Sequence, residues 1–408
     1  MIIMIKIAVM GHGVVGSGTV EVFYKNRENI CKKCGTDVDI KYILDLRDFP
    51  GLPYSDKFTK SFDDIINDSE VKVVVELMGG LKPAYDYVKK CLLNGKSVVT
   101  SNKELVAAHG AELLRIAKEN NVNFLFEASV GGGIPIIRPL SQCLAANSID
   151  EICGILNGTT NFILNKMIND GMSFEDALKL AQHLGYAERN PSADVDGFDT
   201  CRKICILASL AFGYHVYPDG IYTEGITNIK LEDVVYAKKL GYAVKLIGYA
   251  KRISDGKIFC ATYPALIPFS SSLSTVDDVF NAILVKGDAT GDVMFYGKGA
   301  GKFPTASAVV ADIIDACMHI NRRKSIFWED AKTDYVIPCK EHETAMYVRA
   351  HCDISDLTRL FGSVKSLPAD NGDILFITPV MKEEEINKVL ENSGIKIKAK
   401  IRVMEQAV

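Results

Sequence analysis

Apolar and polar positions form a regular alternation of blocks through the first third of the chain. Short apolar runs at residues 5–10, 71–77 and 97–100 are rich in valine and isoleucine, and polar segments with helix-forming composition follow them. Continuous apolar runs of this length are typical of buried parallel strands. Strands that alternate with helices predict a doubly wound parallel sheet of the Rossmann type, in the α/β fold class.

The predicted elements of this first part begin close to the N-terminus. They are strands at 5–10, 39–44, 71–77, 97–100 and 124–126, and helices at 14–24, 83–93 and 103–120. The apolar stretch from Met1 to Ile5 is interpreted as the start of the first strand. A signal peptide is disfavoured because Lys6 interrupts the stretch and a glycine-rich turn follows at once.

The pattern changes after Gly131-Gly132-Gly133. Predicted elements are then a strand at 150–156, helices at 160–167, from Ser173 onward and at 199–212, β-rich segments at 245–297, and a long helix at 305–319. From about residue 340 the chain predicts strands at 345–350, 373–379 and 395–403 and helices at 354–364 and 383–392. This later part predicts α+β domains, with a second sheet that packs on helices.

Composition narrows the possible classes of protein. The 408 residues suffice for two or three domains, and the net charge of −4 gives no basic surface for nucleic acid. No apolar run approaches the length of a membrane span. The 11 cysteines lie in mostly apolar segments, which favours a reducing cytoplasm. The CxxC at Cys31 to Cys34 is interpreted as a polar loop, because a zinc site needs a second ligand pair.

Gly11-x-Gly13-x-x-Gly16 follows a predicted strand and opens a predicted helix. In that context the first glycine permits a tight turn, the second permits close approach of a pyrophosphate, and the third permits helix–strand packing. The helix N-terminus attracts the phosphate charge. A glycine-rich turn without a ligand is the alternative, but the strand–turn–helix context favours a dinucleotide site that also includes His12, Val14 and Val15.

The type of nucleotide depends on two residues after the second predicted strand. Asp45 could bond a ribose 2′-hydroxyl, as in NAD sites, and Arg47 could meet the 2′-phosphate of NADP. Both could equally be ordinary surface charges. The sequence favours NADP, with use of both nucleotides expected.

Two lysines in separate segments carry the candidate chemistry. Asp199 and Lys203 lie four residues apart on a predicted helix, so they share one face. A surface ion pair is the alternative, but apolar residues cover the opposite face and Glu188 and Asp194 precede the helix. Carboxylates near a lysine can hold a substrate ammonium and orient the lysine for proton transfer, and Lys103 could supply a second positive charge.

Two further polar segments permit a structural or a functional interpretation. Glu127 and the carbonyl groups of the following glycine-rich turn could ligate a hard cation, or the turn could be a hinge between domains. Asn157 and the hydroxyl residues after it could be a helix N-cap, or could present polar groups to a ligand.

In their order, these segments resemble homoserine dehydrogenase over about residues 5–320. The resemblance rests on the glycine turn, Val75-Glu76-Leu77-Met78-Gly79-Gly80, Ser101-Asn102-Lys103, Glu127 to Pro135, Asn157 to Asn161, Gly185-Tyr186-Ala187-Glu188, Asp194 to Lys203, and Gly299-Ala300-Gly301 before Pro304-Thr305-Ala306. That family reduces L-aspartate 4-semialdehyde to L-homoserine with NADPH or NADH, in threonine, methionine and isoleucine biosynthesis.

The resemblance implies a role for each matched position. Lys203 would act in proton transfer at the substrate oxygen, Asp199 would orient it, and Lys103 would be a second cation near the substrate and nicotinamide. Implied substrate-binding residues are Glu188, Asp194, Tyr186, Asn157, Gly158 and Thr159. Implied cofactor-binding residues are those of the glycine turn with Asp45, Arg47, Met78, Gly79, Ser101, Lys103 and Gly301.

The resemblance also implies a cation site, an assembly and a domain plan. Glu127, with the carbonyl groups of Val130, Gly132 and Ile134, matches the family's site for a monovalent cation such as sodium. Family members are typically dimers through the sheet of the second domain, so a homodimer or larger homo-oligomer is expected. The implied domains are a nucleotide-binding domain at 1–140, a catalytic and dimerisation domain at 141–300, a helix returning to the nucleotide domain at 301–338, and an ACT-like segment at 339–408.

Some positions depart from the family pattern. Asn190-Pro191 stands where the family usually has Asp-Pro, and His12 occupies a position that is often apolar. The tail resembles a ligand-binding ACT domain, but one strand of that fold is not predicted. Feedback by threonine is therefore left open, and the tail could serve dimerisation alone.

Two other functions compete with this interpretation. Another NAD(P)-dependent enzyme could act on a related semialdehyde or keto acid, although the phosphorylating type needs a catalytic cysteine with a histidine partner, and no loop supplies that pair. A regulatory protein that senses amino acids could keep the nucleotide domain as a scaffold. Such a protein would not need Lys103, Asp199 and Lys203 together.

Overall fold

The chain folds into two structural units, and each unit consists of segments that are far apart in the sequence. The computed structural model describes residues 4–253, 256–320, 322–323 and 326–404. The first unit contains residues 1–148, 205–218 and 295–332, and the second contains residues 149–204, 219–294 and 333–408. Met1 to Ile3, which the sequence predicts as the start of the first strand, lie outside the described residues.

The first unit is built on a parallel sheet with helices between the strands. Its elements up to residue 125 are β1 (Ile5–Met10), α1 (Val14–Lys25), α2 (Arg27–Cys34), β2 (Val38–Leu44), β3 (Phe58–Thr59), α3 (Asp63–Ile66), β4 (Val71–Glu76), α4 (Ala84–Leu93), β5 (Ser97–Thr100), α5 (Lys103–Glu119) and β6 (Phe124–Leu125). The strand order β3-β2-β1-β4-β5-β6 is that of a dinucleotide-binding Rossmann fold. The predicted doubly wound sheet is therefore confirmed.

The second unit is built on a mixed sheet that packs on helices. The elements from residue 149 to 318 are β7 (Ile149–Ile155), α6 (Gly158–Asp170), α7 (Phe174–His183), α8 (Ser192–Val195), α9 (Phe198–Phe212), β8 (Tyr222–Thr223), α10 (Leu231–Lys239), β9 (Tyr242–Arg252), β10 (Ile258–Pro268), β11 (Phe280–Gly287), β12 (Gly291–Lys298) and α11 (Lys302–Met318). Of these, α11 belongs to the first unit, together with α9 from Cys205 onward and β12 from Phe295 onward.

The C-terminal segment belongs to the second unit and extends its sheet. It contributes β13 (Glu343–His351), α12 (Ile354–Phe361), β14 (Ser366–Pro368), β15 (Ile374–Ile377), β16 (Met381–Lys382), α13 (Glu383–Asn392) and β17 (Lys396–Val403). The sheet runs β12-β11-β7-β9-β10-β17-β13-β15-β14, with β8 beside β10 and β16 beside β13. The segment joins the sheet through parallel pairing of β17 with β10, where Arg402 faces Ala265.

Two predictions about local structure are wrong. Apart from the two-residue β16, the C-terminal segment has the β-α-β-β-α-β order of a ferredoxin-like unit, so the expected missing strand is present as β14. With three residues, β14 is too short to produce a hydrophobic pattern. The predicted polar loop around Cys31 and Cys34 is the helix α2, which ends at Gly35 in the left-handed region. The thiols of Cys34 and Cys317 share a hydrogen bond, so this helix packs on α11.

Burial explains why the long elements were predictable. Ile7, Val9, Val73 and Val75 are fully buried in the central strands of the first unit, as expected for strands covered on both faces. In the second unit one apolar core lies between the sheet and helices α6, α7 and α10. A second core lies between the C-terminal strands and helices α12 and α13.

None of the described helices has both the length and the apolar composition required to cross a membrane.

A buried ion pair fixes the C-terminal segment to the rest of the second unit. Arg349 on β13 donates through Nε to Asp233 on α10 at 2.8 Å, and both side chains are almost completely buried. The hydroxyl of Tyr347 donates to the same carboxylate at 3.1 Å. Glu232 and Asp373 also pair with Arg349, at 2.5 and 3.5 Å. Removal of Asp233 would therefore leave the arginine charge compensated but would take the acceptor from several buried donors.

We expect Asp233→Ala to lower the free energy of unfolding by about 1–3 kcal/mol, because the buried donors of Arg349 and Tyr347 lose their acceptor. The matched control is Asp170→Ala, which removes a half-exposed partner of Lys166 and should cost about 0–1 kcal/mol. Urea denaturation of both variants measures the difference. Equal losses in the two variants would contradict the role of the Arg349 pair.

Candidate active site

The turn between β1 and α1 has the geometry of a phosphate cradle. A Cβ atom on Gly16 would lie 2.0 Å from the carbonyl oxygen of Gly11, so the turn requires a glycine there. A Cβ on Gly13 would meet nothing within 4 Å. Gly13 is also the N-cap of α1 and provides no side-chain cap, so the first amide groups of the helix are not satisfied by a capping side chain. These features fit a dinucleotide pyrophosphate.

The side chains after β2 form an ion pair beside this turn. Asp45 accepts hydrogen bonds from the backbone amide of His12 at 2.8 Å and from Nε and Nη2 of Arg47 at 3.0 and 2.9 Å. Arg47 holds the pKa of Asp45 well below its ordinary value. The Arg47 side chain is 63% exposed, and its guanidinium lies over the ring of Phe49. The carboxylate is thus committed to partners within the protein, and the guanidinium faces solvent.

Glu76 organises the next loop at the carboxyl edge of the sheet. One carboxylate oxygen accepts from the backbone amides of Met78 and Gly79 at 2.8 and 3.2 Å, and the other accepts from the Thr100 hydroxyl at 2.6 Å. Glu76 is fully buried, and this burial raises its pKa. The loop predicted to bind the cofactor is therefore shaped by an acidic residue that sequence analysis did not assign.

Lys103 is the first residue of α5, and Asn102 places it there. The Asn102 side chain accepts from the amide of Leu105 at 3.1 Å, which is an N-cap, and donates to the carbonyl of Gly80 at 2.6 Å. The backbone of Asn102 is itself held by Thr100, because the hydroxyl oxygen of Thr100 accepts a hydrogen bond from the Asn102 amide at 2.9 Å. Ser101 precedes this cap and is partly exposed. Gly301 lies elsewhere in the first unit, as the N-cap of α11, with φ +123°.

Lys203 and Asp199 form a buried pair on α9 in the second unit. The ammonium group of Lys203 donates to Asp199 Oδ2 at 2.6 Å and to the carbonyl oxygen of Leu156 at 2.7 Å. The two side chains are 11% and 7% exposed. The alternative interpretation as a surface ion pair is therefore excluded, because two acceptors orient the lysine in an almost closed environment.

Asn157 joins this pair to an acidic segment at the junction of α8 and α9. We call this segment, residues 194–199, the acidic loop. Its amide nitrogen donates to Asp199 Oδ2 at 2.9 Å and to Asp194 Oδ1 at 2.7 Å. Its amide oxygen accepts from the backbone amide and the hydroxyl of Thr160 at 2.8 and 3.0 Å. One residue is thus both the N-cap of α6 and a bridge between two carboxylates. The structural and the functional interpretation of this segment are compatible.

The other predicted substrate residues differ in how closely they pack and in their exposure to solvent. The hydroxyl of Thr159 donates to the carbonyl of Tyr186 at 2.6 Å, and a Cβ on Gly158 would lie 2.7 Å from the carbonyl of Val279. Tyr186 and Glu188 are exposed. The structure therefore brings Asn157, Asp194, Asp199 and Lys203 together by direct hydrogen bonds, while Glu188 lies on an exposed segment after α7.

The Glu127 carboxylate of the predicted cation site is held by donors of the protein. The carboxylate of Glu127 accepts from the backbone amides of Ile136, Ile137 and Arg138 at 2.6, 2.8 and 2.9 Å, and from the Arg138 side chain at 3.1 Å. Burial raises the pKa of the neighbouring Asp312 to about 8. Four donors therefore hold the Glu127 carboxylate, and the cation site that the family resemblance implies stays a prediction. No cluster of His, Cys, Asp and Glu among the described residues is arranged to hold a metal ion.

The glycine-rich turn after Glu127 is required for close backbone packing. Gly132 has φ +55°, and a Cβ there would lie 2.4 Å from the carbonyl oxygen of Gly299. The amide of Gly133 donates to the carbonyl of Lys298 at 3.1 Å. Val130 and Ile134, whose carbonyl groups were predicted as ligands, are buried beside this turn. The turn therefore serves contact between backbone segments of the first unit.

Three side chains of the site region were missed by sequence analysis. They are Glu76, Asn102 and Arg138, which hold the cofactor loop, the start of α5 and the Glu127 turn. For Glu76 a signal existed, because an acidic residue at the end of an otherwise apolar strand must be paired when it is buried. Asn102 also stands in an N-cap position before a helical pattern.

Comparison with known proteins agrees with this geometry. Residues 11–127 match the family profile described as "Homoserine dehydrogenase, NAD binding domain", and residues 135–314 match "Homoserine dehydrogenase". The homoserine dehydrogenase of Pseudomonas aeruginosa is 39% identical over 388 residues, which cover 93% of this chain and 88% of that protein.

Solved structures agree as well. A homoserine dehydrogenase from Thiobacillus denitrificans superposes with a TM-score of 0.87 and 36% identity, covering 98% of both chains. A hyperthermophilic archaeal homoserine dehydrogenase in complex with NADPH has a TM-score of 0.65 and 29% identity, covering 77% of this chain and 97% of its own. The sequence, the fold and the relatives lead to one conclusion: this chain belongs to the homoserine dehydrogenase family of oxidoreductases.

Proposed function

We propose that this chain catalyses the reversible reduction of L-aspartate 4-semialdehyde to L-homoserine by a reduced nicotinamide nucleotide. The observation that carries the proposal is the buried lysine of α9, held by Asp199 and by the carbonyl of Leu156. A lysine fixed by two acceptors can present its ammonium group to a reacting oxygen in a constant direction. The family to which the chain belongs supports the choice of substrate.

Lys203 has the central chemical role in this proposal. When bound, the nicotinamide nucleotide supplies or accepts the hydride. As the aldehyde carbon becomes tetrahedral, negative charge develops on its oxygen, and the Lys203 ammonium stabilises that charge and donates a proton. In the reverse direction the Lys203 amine accepts the proton of the L-homoserine hydroxyl. Asp199 maintains the orientation of the lysine in both directions.

The carboxylates before α9 would bind the substrate ammonium. Asp194 is the stronger candidate, because Asn157 fixes its carboxylate at 2.7 Å beside the Lys203 pair. Glu188, which lies on the exposed segment after α7, would provide the second carboxylate for the ammonium group. Tyr186, Gly158 and Thr159 would shape the pocket, since the Thr159 hydroxyl fixes the Tyr186 carbonyl. Lys103, at the start of α5, is assigned as the second cation that the family resemblance implies.

The nucleotide is proposed to be NADP, with NAD as a weaker alternative. Asp45 is occupied by Arg47 and by the amide of His12, so its oxygens are not available to a ribose hydroxyl without breaking these bonds. The exposed guanidinium of Arg47 suits a 2′-phosphate, to which it can donate a charged hydrogen bond. The NADPH complex of the archaeal relative supports this choice.

Assembly and location are proposed from the same family. We place the dimer contact on the sheet of the second unit, where β9, β11 and β12 border a surface cleft of about 510 Å³. All eleven cysteines are free thiols, which is consistent with a reducing cytoplasm. The ferredoxin-like order of the C-terminal segment is compatible with ligand binding, so an effector role for it stays a proposal.

Lys203→Ala should lower kcat for L-homoserine oxidation by about 10²–10⁴-fold, because the proton acceptor is lost, while nucleotide affinity stays within about threefold. The matched control is Lys166→Ala, a partly exposed lysine on α6 paired with Asp170, which should keep wild-type turnover. Absorbance at the nicotinamide band measures turnover, and fluorescence titration measures nucleotide binding. A sensor without enzymatic activity would show no homoserine-dependent signal even in the wild type.

Arg47→Ala should raise the KM for NADP by about 10–100-fold and leave the KM for NAD almost unchanged, because a charged hydrogen bond to the 2′-phosphate is lost. Arg115→Ala removes an equally exposed arginine from α5 and is the control. Steady-state kinetics with each nucleotide at saturating L-homoserine test the difference. Parallel changes for both nucleotides would show that Arg47 does not recognise the phosphate.

Gly13→Ala should leave the stability of the first unit unchanged, since the new methyl group meets no atom within 4 Å. It should weaken both nucleotides by at least about tenfold, because the methyl group occupies the approach of the pyrophosphate. Gly16→Ala is the contrasting variant and should destabilise the turn itself. Thermal unfolding and nucleotide titration separate these effects, and wild-type affinity in Gly13→Ala would place the nucleotide elsewhere.

A further inference from the structure

The last strand of the chain contributes a buried arginine with two carboxylate partners. Arg402 on β17 donates through Nε and Nη2 to Glu383 at 2.9 and 2.7 Å, and through Nη1 to Glu224 at 2.6 Å. Its guanidinium also lies over the rings of Tyr222 and Tyr263, at 4.6 and 4.8 Å from their centres. Burial acts to lower the pKa of Arg402, but the Glu383 hydrogen bonds raise it well above its ordinary value.

Glu224 belongs to a segment that packs against the acidic loop before α9. Its backbone amide donates to the carbonyl of Thr262 on β10 at 2.9 Å. Two residues later, the amide of Ile226 donates to the carbonyl of Val195 at 2.8 Å. A Cβ atom on Gly225 would lie 2.0 Å from that same carbonyl oxygen, so the two backbones are in direct contact. Movement of Glu224 is therefore transmitted to residue 195.

The acidic loop connects this contact to the buried lysine pair. Gly197 has φ +88°, and a Cβ there would lie 3.3 Å from the carbonyl of Glu224, so the loop follows the surface of that segment. The amide of Gly197 donates to the carbonyl of Asp194 at 3.0 Å. The side chain of Asp194 is in turn bonded to Asn157, which also holds Asp199.

We propose that Arg402 and Glu224 are positioning residues for the acidic loop, by which we mean residues 194–199 at the junction of α8 and α9. Through their ion pair, a strand of the C-terminal segment holds residues 222–226 against the loop that presents Asp194 to the substrate ammonium. Neither residue touches the substrate, so both act on substrate affinity through the backbone contact. This inference rests on the proposed function, since Asp194 is assigned there as a substrate ligand.

Glu224→Ala tests the proposal, because Arg402 keeps its two bonds to Glu383 and the buried charge stays paired. The KM for L-homoserine should rise about tenfold while kcat stays within about twofold, as expected when ground-state binding is lost. Glu224→Gln should recover part of this loss, since its amide oxygen can still accept a hydrogen bond from Arg402.

The chain offers a matched control in its other buried arginine. Glu232 lies 2.5 Å from Arg349, which is also paired with buried Asp233, so Glu232 has the same relation to its arginine as Glu224 has to Arg402. Glu232→Ala should lower the melting temperature to a similar degree but leave the KM for L-homoserine unchanged. A KM that rises equally in both variants, or in neither, would overturn the positioning role.

Amide hydrogen exchange gives a measurement that does not depend on turnover. Backbone amides of residues 192–200 should exchange faster in Glu224→Ala than in the wild type, and at the wild-type rate in Glu232→Ala. If the wild-type protein showed no homoserine-dependent reduction but this difference in exchange remained, the proposed function would fail and the positioning contact would stand. Unchanged exchange in Glu224→Ala would refute the contact itself, whatever the activity.

Discussion

The second unit depends on one electrostatic constraint: the positive charge of Lys203 is buried and must be compensated. An uncompensated ammonium in a protein interior is strongly unfavourable, so a counter-ion and further acceptors are required. Asp199 supplies the charge one helical turn away, and the carbonyl of Leu156 supplies the second acceptor. Asn157 then orients the carboxylate and ends the turn after β7 as the N-cap of α6. The end of β7, the start of α6 and the side chain of Lys203 are thus held by one connected set of hydrogen bonds.

The same logic operates at the carboxyl edge of the parallel sheet. Asp45 and Glu76 end their strands with buried or partly buried carboxylates, and backbone amides satisfy both of them. Each carboxylate therefore shapes the loop that follows its strand. At Asp45 the exposed Arg47 completes the hydrogen bonding of the carboxylate, so the charge that faces solvent beside the glycine turn is positive. Acidic residues at strand ends thus organise loops here, rather than only contacting ligands.

The C-terminal segment has a larger structural role than its position at the end of the chain implies. Its strand β17 pairs with β10, and two buried arginines, Arg349 and Arg402, join it to carboxylates of the second unit. A segment bound by buried ion pairs cannot move without leaving charges unpaired. Any displacement of β17 would therefore reach Glu224 and the backbone that supports the acidic loop. This connection is the route by which the segment is proposed to act on substrate affinity.

The sequence by itself determined the parallel sheet, the glycine turn and the helical spacing of Asp199 and Lys203, because these depend on local patterns of two to seven residues. It did not reveal α2 or β14, whose short lengths give weak patterns. Only the tertiary structure decided that the lysine pair is buried, that Arg47 pairs with Asp45, and that the Glu127 carboxylate accepts four hydrogen bonds. Burial and pairing depend on residues far apart in the chain, and the sequence order carries no distances between them.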